Sequence, residues 1–375
     1  MTVRPADGAL RASVTDHESL IRETIGFIHA HPELPHEEHE SSAHLMALLG
    51  SLGLEVEAGL SGMATGFSAT LRGAHEGRTV GIVALYDAVA SVPPEGGIRA
   101  VHSCGHGPIS GAVVGALAAL AAQRDSLSGS VVVMGCPADE IHAPGTIARG
   151  SGKALSAAAG AWDGIDAAMY VHPEYIDTVS QSSLWMRRIT GRVSGTRSLA
   201  EGASQLPLDA TAAAAAAARL LPAGRGMLER LELDGDVEEG GGLVTRMTFL
   251  VWADDEAGLD ELGAQLRGGI DATWADRATV PSIVPDDGLT AAIADAFRAA
   301  GRDFVDDPPA LPFATDFGAV SRRVPSALIG VGRADGWAFH SPIGEEQFAS
   351  EDGVAAALAM AEVLALSASR LGSST

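Results

Sequence analysis

Several residue types that would mark common protein classes are scarce in this chain. Its 375 residues include two cysteines, Cys104 and Cys136, too few for a disulfide scaffold. Basic residues are outnumbered, 25 Lys and Arg against 48 Asp and Glu, for a net charge of −23. A surface this acidic repels phosphate backbones and anionic lipid, so neither nucleic acid nor a membrane is an expected partner. No uninterrupted apolar run reaches the ~20 residues that cross a bilayer, and the alanine run at 212–218 is too short. The first twelve residues carry charges and no apolar stretch, so no signal peptide is expected, and a cytoplasmic, reducing location is. Neither Gly-x-Ser-x-Gly nor a Gly-Lys-Ser/Thr phosphate loop occurs, which leaves serine-hydrolase and nucleotide-binding readings without support.

What the chain does have is apolar material, 46% of residues, enough for two globular domains or one large one. Thr15-Asp16-His17-Glu18 has the form of a capping box, with Leu20, Ile21, Ile25 and Ile28 following at helical spacing. A second helix is expected over about 38–52, and residues 67–71 alternate like a half-exposed strand. Short continuous apolar runs at 79–85, 131–134, 167–171 and 327–331 read as strands buried on both faces. A helical segment at 109–122 lies between two of them, which is the pattern of an α/β domain with a mainly parallel sheet. Residues 186–282 read differently: strands at 187–193, 227–233 and 243–252, with helices at 208–221 and 259–270. That order suits a small α+β domain, an open sheet with two helices on one face, inserted into a main domain formed by 1–185 and 283–375.

The polar residues of interest follow the buried runs. Asp87 comes after the first, Asp139 and Glu140 after the second, His172 at the end of the third, and His340 shortly after the fourth. Ligands of open α/β sheets bind beyond the carboxyl ends of the strands, so these residues converge on one edge. Cys104 and His106, two apart in an extended loop, point the same way and can share a site. Thiolate with imidazole favours zinc or a similar transition metal. In the Asp139-Glu140 pair one carboxylate can bind metal while the other takes a proton from the attacking water and passes it to the leaving amine. The histidines at 29, 31, 36, 39 and 44 precede any sheet and read as structural or solvated. His142 lies close enough in sequence to Glu140 to touch substrate.

With these residues in place, the chain resembles metallopeptidase family twenty, which holds aminoacylases, glutamate carboxypeptidases, and auxin-conjugate and p-aminobenzoyl-glutamate hydrolases. The resemblance is to the amidohydrolase branch with a Cys-Gly-His metal motif. His31-Pro32-Glu33-Leu34, Tyr86-Asp87-Ala88, His102-Ser103-Cys104-Gly105-His106, Gly135-Cys136-Pro137-Ala138-Asp139-Glu140, His172-Pro173, the Thr315-Asp316-Phe317-Gly318 region and His340-Ser341 carry it, in order. It implies a hydrolase-like (phosphorylase/hydrolase) catalytic domain with an inserted ferredoxin-like lid that also makes a homodimer. It further implies two divalent metal ions, Zn²⁺ or Mn²⁺, held by Cys104, His106, Glu140, His172 and His340. Asp139 would be the general base, where the family has Glu, and Asp87 would orient a ligand. His102, His142, Arg197, Arg246 and Asp316 are candidate substrate contacts.

The sequence departs from the family at the lid. Its Gly-Lys-Ala-Ala-His-Ala motif appears only as Gly195-Thr196-Arg197-Ser198-Leu199-Ala200, without the substrate-facing His. The expected activity is hydrolysis of an amide C–N bond in a small N-acyl or aryl-amide compound. Two alternatives stay open: hydrolytic deamination of an aromatic or heterocyclic amine, and a non-catalytic member that binds a ligand.

Overall fold

The computed structural model describes residues 5–93, 95–196, 215, 219, 221–235, 242–277 and 279–373. Two compact units emerge: Met1–Ser182 with Ile283–Ala310 and Asp316–Thr375, and Ser183–Ser282 with Leu311–Thr315. Strands are numbered along the chain. In the first unit they are β1 (Glu55–Ala58), β2 (Phe67–Arg72), β3 (His75–Ala84), β4 (Val89–Ser91), β5 (Arg99–Val101), β6 (Ser128–Gly135) and β7 (Ala167–Glu174). The second unit holds β8 (Trp185–Thr196), β9 (Gly226–Gly235), β10 (Gly242–Ala253) and β11 (Thr273–Asp276), and β12 (Ser326–Gly332) returns to the first.

The main sheet runs β1-β2-β6-β3-β7-β12. Four strands, β6-β3-β7-β12, are parallel, and β1 and β2 join antiparallel at the opposite edge from β12. The apolar runs explain the parallel core. Val80, Ile82, Val83, Met169, Val171, Ala327 and Ile329 are all fully buried or nearly so, as strands covered on both faces require. Helices His106–Ala122 and Glu351–Gly372 pack on β3 and β7 and against each other. The latter is, by length and composition, apolar enough to cross a membrane, but 67% of its window is buried inside the fold. Val354, Ala357, Ala361, Leu364 and Ala368 are all buried, which is what a core helix demands.

Three local expectations change. Thr15 begins no helix: Pro5–Asp16 is itself helical, Thr15 Oγ1 donates back to the Arg11 carbonyl, and the next helix, Glu18–Ala30, has His17 at its N-cap without a side-chain cap. The apolar residues at 10 and 14, both buried, pull this segment into the core and override the capping signature. The helix expected from 109 starts at His106. A small hairpin, β4 with β5, is an addition the polar, proline-containing sequence gave little sign of.

In the second unit the sheet order is β11-β8-β10-β9, all neighbours antiparallel. One helix, Glu256–Gly269, is capped by Asp255, whose side chain accepts from Gly258 N. It buries Leu259, Leu262 and Leu266, spaced on one face, against Met247, Phe249 and Val251, which alternate along β10. The two periodicities, near 3.6 and 2, meet in one apolar layer. The short edge strand β11 was not expected. The helix expected at 208–221 lies almost entirely outside the described residues.

Candidate metal centre

Asp87, Asp139, Glu140, His172 and His340 lie at or beyond the carboxyl ends of parallel strands, whereas Cys104 and His106 follow the antiparallel strand β5. β3 ends at Ala84, three residues before Asp87; β6 ends at Gly135, four before Asp139. His172 sits near the end of β7, and His340 follows β12 by eight residues.

Cys104 and His106 do converge, but not through an extended loop. Gly105 is left-handed (φ 100°) and caps the helix that His106 opens. A Cβ at 105 would lie 2.6 Å from the Pro173 ring, so only glycine allows this turn beside the strand that carries His172. Among the described residues four non-glycine residues have positive φ, and two of them are here: Ala138 (φ 58°) just before Asp139, and His340 (φ 55°). Such backbone strain persists where the surroundings over-determine it, and it concentrates at functional sites. At Ala138 the reason is visible. Buried Glu38 accepts hydrogen bonds from Ala138 N (2.9 Å), His36 N (2.7 Å) and Thr65 Oγ1 (2.7 Å), and so ties down the turn that presents Asp139.

The hydrogen bonds fix the tautomers. His106 Nδ1 lies 2.6 Å from the Asp87 carbonyl oxygen, which can only accept, so Nδ1 carries the proton and Nε2 presents a lone pair. His172 Nδ1 is likewise 2.8 Å from the Pro173 carbonyl, leaving its Nε2 toward Cys104 Sγ at 4.0 Å. Asp87 serves twice more: Oδ1 is 3.1 Å from His106 Nδ1, and Oδ2 accepts from Glu140 N at 2.9 Å. His106 Nε2 then faces Asp139 Oδ2 at 3.3 Å and Glu140 Oε1 at 3.8 Å. Both His106 Nε2 and Glu140 Oε1 are buried with no hydrogen-bond partner. Lone pairs converging in a buried space are unfavourable unless a cation lies among them.

Cys104, Glu140 and His340 complete the arrangement, with one ligand atom each all within 4.8 Å of one another. His340 Nε2 is 3.2 Å from Cys104 Sγ and 3.8 Å from Glu140 Oε2. Burial pushes the Cys104 thiol up, but hydrogen bonding to three imidazoles outweighs this and holds it well below its ordinary value. Burial, with the Cys104 charge next, pushes Glu140 up. Thiolate, imidazole and carboxylate donors at these distances fit transition-metal ions.

A cleft opens onto this centre. The hairpin contributes Val89, Val92 and Arg99, and the other walls include His29, His142 and Glu345. Arg99 spans the opening to Glu345 at 2.6 Å. Of the expected substrate contacts, His142 lines this cleft. His102 does not; burial holds it at about 3, well below the ordinary imidazole value. Asp316 is a correction: it is fully buried, ion-paired with Lys153 Nζ (2.7 Å) and accepting from Ala154 N (3.1 Å), which turns it away from substrate. Arg246 belongs to the second unit, exposed on β10 beside Glu232 at 3.5 Å, and Arg197 lies outside the described residues. His36 is structural, as expected, with Nε2 2.7 Å from the Gly150 carbonyl.

One residue at the centre was missed. Lys153, fully buried, contacts Asp139 as well as Asp316 and lies over the Tyr170 ring at 5.1 Å. Burial pushes Asp139 up, but the Lys153 ammonium, then His106, prevail and hold its carboxyl well below the usual range. The sequence held a signal for it: of 25 Lys and Arg residues, Lys153 is the single lysine.

Comparison with known proteins places the chain in a family. Residues 84–366 match the model of the family described as Peptidase family M20/M25/M40. Similar curated proteins include thermostable carboxypeptidase 2 of Saccharolobus solfataricus, 29% identical over 169 residues (44% of this chain, 41% of that protein). N-acetyl-L-cysteine deacetylase of Bacillus subtilis is 30% identical over 165 residues (41% of this chain, 37% of that protein). The chain thus spans well under half the length of the curated relatives it matches. Two solved structures share the fold. An aminobenzoyl-glutamate utilization protein from Klebsiella pneumoniae has TM-score 0.70 at 14% identity, over 95% of this chain and 98% of that one. A dinuclear metal-binding peptidase from Bacillus subtilis has TM-score 0.67 at 18% identity, over 94% and 98%. The family match covers three quarters of the sequence and includes every proposed metal donor, and the chain belongs to peptidase family M20/M25/M40.

Proposed function

We propose that this protein is a metal-dependent amidohydrolase that cleaves the C–N bond of a small N-acyl or aryl-amide compound. The observation that carries this reading is the pair of buried, partnerless acceptors, His106 Nε2 and Glu140 Oε1, beside the Cys104–Glu140–His340 cluster. Cys104, His106, Glu140, His172 and His340 would hold two divalent ions, Zn²⁺ or Mn²⁺. When bound, such ions supply Lewis-acid charge and acidify water. The chain's own groups do the rest. Asp87 holds His106 in its lone-pair tautomer and fixes the Glu140 backbone. Asp139 Oδ2, the oxygen that Lys153 does not hold, takes the proton of the attacking water and returns it to the leaving nitrogen.

The cleft favours a substrate without a carboxylate. Its walls carry Glu95, Glu345 and Glu346 among apolar residues, and its Arg99 is already paired with Glu345. The reading includes a homodimer through the second unit, for which Met227 and Leu231, exposed on edge strand β9, supply apolar surface. It includes a reducing, cytoplasmic location, supported by two free cysteines. The test is release of amine and acid from a panel of uncharged aryl amides and N-acetyl amino acids. Activity should vanish with chelator, return with Zn²⁺ or Mn²⁺, and be highest on the uncharged amides. Metal-loaded protein that releases ammonia alone, or nothing, from every member of the panel would sink the proposal.

A further inference from the structure

We propose that Lys153 is a positioning residue whose ammonium keeps Asp139 out of the metal coordination sphere, so that its carboxylate stays free to move protons. The proposal rests on the functional reading above for the role of Asp139, but its structural part stands on geometry alone.

Asp139 Oδ2 lies 3.3 Å from His106 Nε2. Two donors bound at ~2.1 Å to one tetrahedral ion are about 3.4 Å apart. Asp139 is therefore already at the separation that co-ligands adopt. A carboxylate so placed has a strong tendency to become one more ligand, and a ligated carboxylate is a poor proton acceptor. The opposing element is the cation on its other oxygen. Lys153 is fully buried and bridges Asp139 Oδ1 and Asp316 Oδ1. Asp316 is itself anchored by Ala154 N, and the Tyr170 ring lies 5.1 Å from the ammonium. The bridge is rigid at its base. Lys153 is the second residue of the short helix Gly152–Ala158, and a side chain at Gly152 would collide with the Pro137 carbonyl. That close approach seats the helix directly against the turn that delivers Asp139.

The choice of residue supports the assignment. Every other basic residue besides histidine in the chain is arginine, so lysine here is not a compositional habit. A compact ammonium with three rotatable donors can contact both carboxylates from one point, without the fixed fork geometry of a guanidinium. Lys153 and Asp316 would thus divide the labour at Asp139: one oxygen held, the other left facing His106 Nε2.

The experiment is a double-mutant cycle read first by metal binding. Zn²⁺ affinity, measured by competition with a chromophoric chelator, is determined for the wild type, Lys153→Met, Asp139→Asn and the double variant. The expected result is that Lys153→Met binds Zn²⁺ about tenfold more tightly, a change of the size outer partners of ligands exert. Its kcat falls about 100-fold, as for a misplaced catalytic group, with KM little changed. In the Asp139→Asn background the same lysine substitution should leave Zn²⁺ affinity unaltered. If Lys153→Met does not fold, Lys153→Gln, which keeps a donor between the carboxylates without the charge, carries the same expectations. Folded variants that bind Zn²⁺ no more tightly than wild type overturn the proposal. So does a gain that persists in the Asp139→Asn background, since Lys153 would then act only as a nearby charge. A wild type that hydrolyses nothing defeats the functional reading and leaves the metal-binding arm to decide on Lys153.

Discussion

Asp87→Asn is the substitution whose consequence the structure constrains most tightly. Asp87 is buried; its Oδ2 accepts from Glu140 N at 2.9 Å, and its Oδ1, without a hydrogen-bond partner, lies 3.1 Å from His106 Nδ1. Asparagine is the same size but offers one acceptor and one NH₂. With its oxygen turned to Glu140 N, the NH₂ points at His106 Nδ1, whose hydrogen already goes to the Asp87 carbonyl; turned the other way, it meets the Glu140 backbone N–H. Either rotamer leaves a buried donor without an acceptor. An unsatisfied buried donor costs about 1–3 kcal/mol. The His106 tautomer survives, because the Asp87 backbone carbonyl still accepts from Nδ1 at 2.6 Å, so the ring is displaced rather than flipped. Loss of such an outer partner typically lowers metal affinity about 10- to 100-fold, which at ~1.4 kcal/mol per decade matches the hydrogen-bond estimate. Two assays check it: Zn²⁺ competition with a chelator, and thermal unfolding with and without metal. The variant should lose affinity by that factor and show a smaller metal-induced rise in melting temperature. A variant that binds Zn²⁺ within twofold of wild type would refute the assignment of Asp87 as the residue that orients His106 and Glu140.

Two further outcomes are expected. Gly105→Ala combines a left-handed backbone, about 1–2 kcal/mol for an L-residue, with overpacking against Pro173, about 1–3 kcal/mol; denaturant unfolding should show a loss of roughly 2–5 kcal/mol, and a loss under 0.5 kcal/mol would contradict the packing described. Burial, with the Asp87 charge next, pushes the Glu38 carboxyl up to about 7 from its ordinary 4.5; the folded state holds that proton more tightly, so the stability it contributes is complete below about pH 4.5 and is lost as pH rises through 7. Metal-free protein should therefore lose on the order of 3 kcal/mol between those limits, and Glu38→Gln should flatten that part of the stability curve; an equal slope in the variant would assign the effect to another group.

The core was legible where burial imposes a simple pattern. Runs such as Val80 to Ala84 and Ala167 to Val171 are apolar at every position because both faces are covered, and that reading leads directly to a parallel sheet and to donors at its carboxyl edge. Local signatures misled where tertiary contacts outweighed them. Thr15-x-x-Glu18 matches a capping box, yet burial of Leu10 and Val14 keeps the preceding segment helical. Cys104 and His106 come together across a left-handed glycine rather than along the extended loop expected, since two residues can converge either way. Asp316 was read as a substrate contact because a sequence does not say which side of a sheet edge a carboxylate faces. Lys153 has no periodicity, and its partners lie 14 and 163 positions away. Only its singularity in the composition pointed to it.

That singularity has a consequence for chemistry done on the protein. The one side-chain amine in 375 residues is fully buried, so the folded catalytic unit shows acylating reagents no lysine at all. Lysine-specific proteases likewise meet a single bond, closed off until the helix Gly152–Ala158 leaves its seat. Reaction at that amine therefore counts openings of the centre itself, and a bound substrate or metal that holds Asp139 and its neighbours in place would slow the count without any label having been introduced.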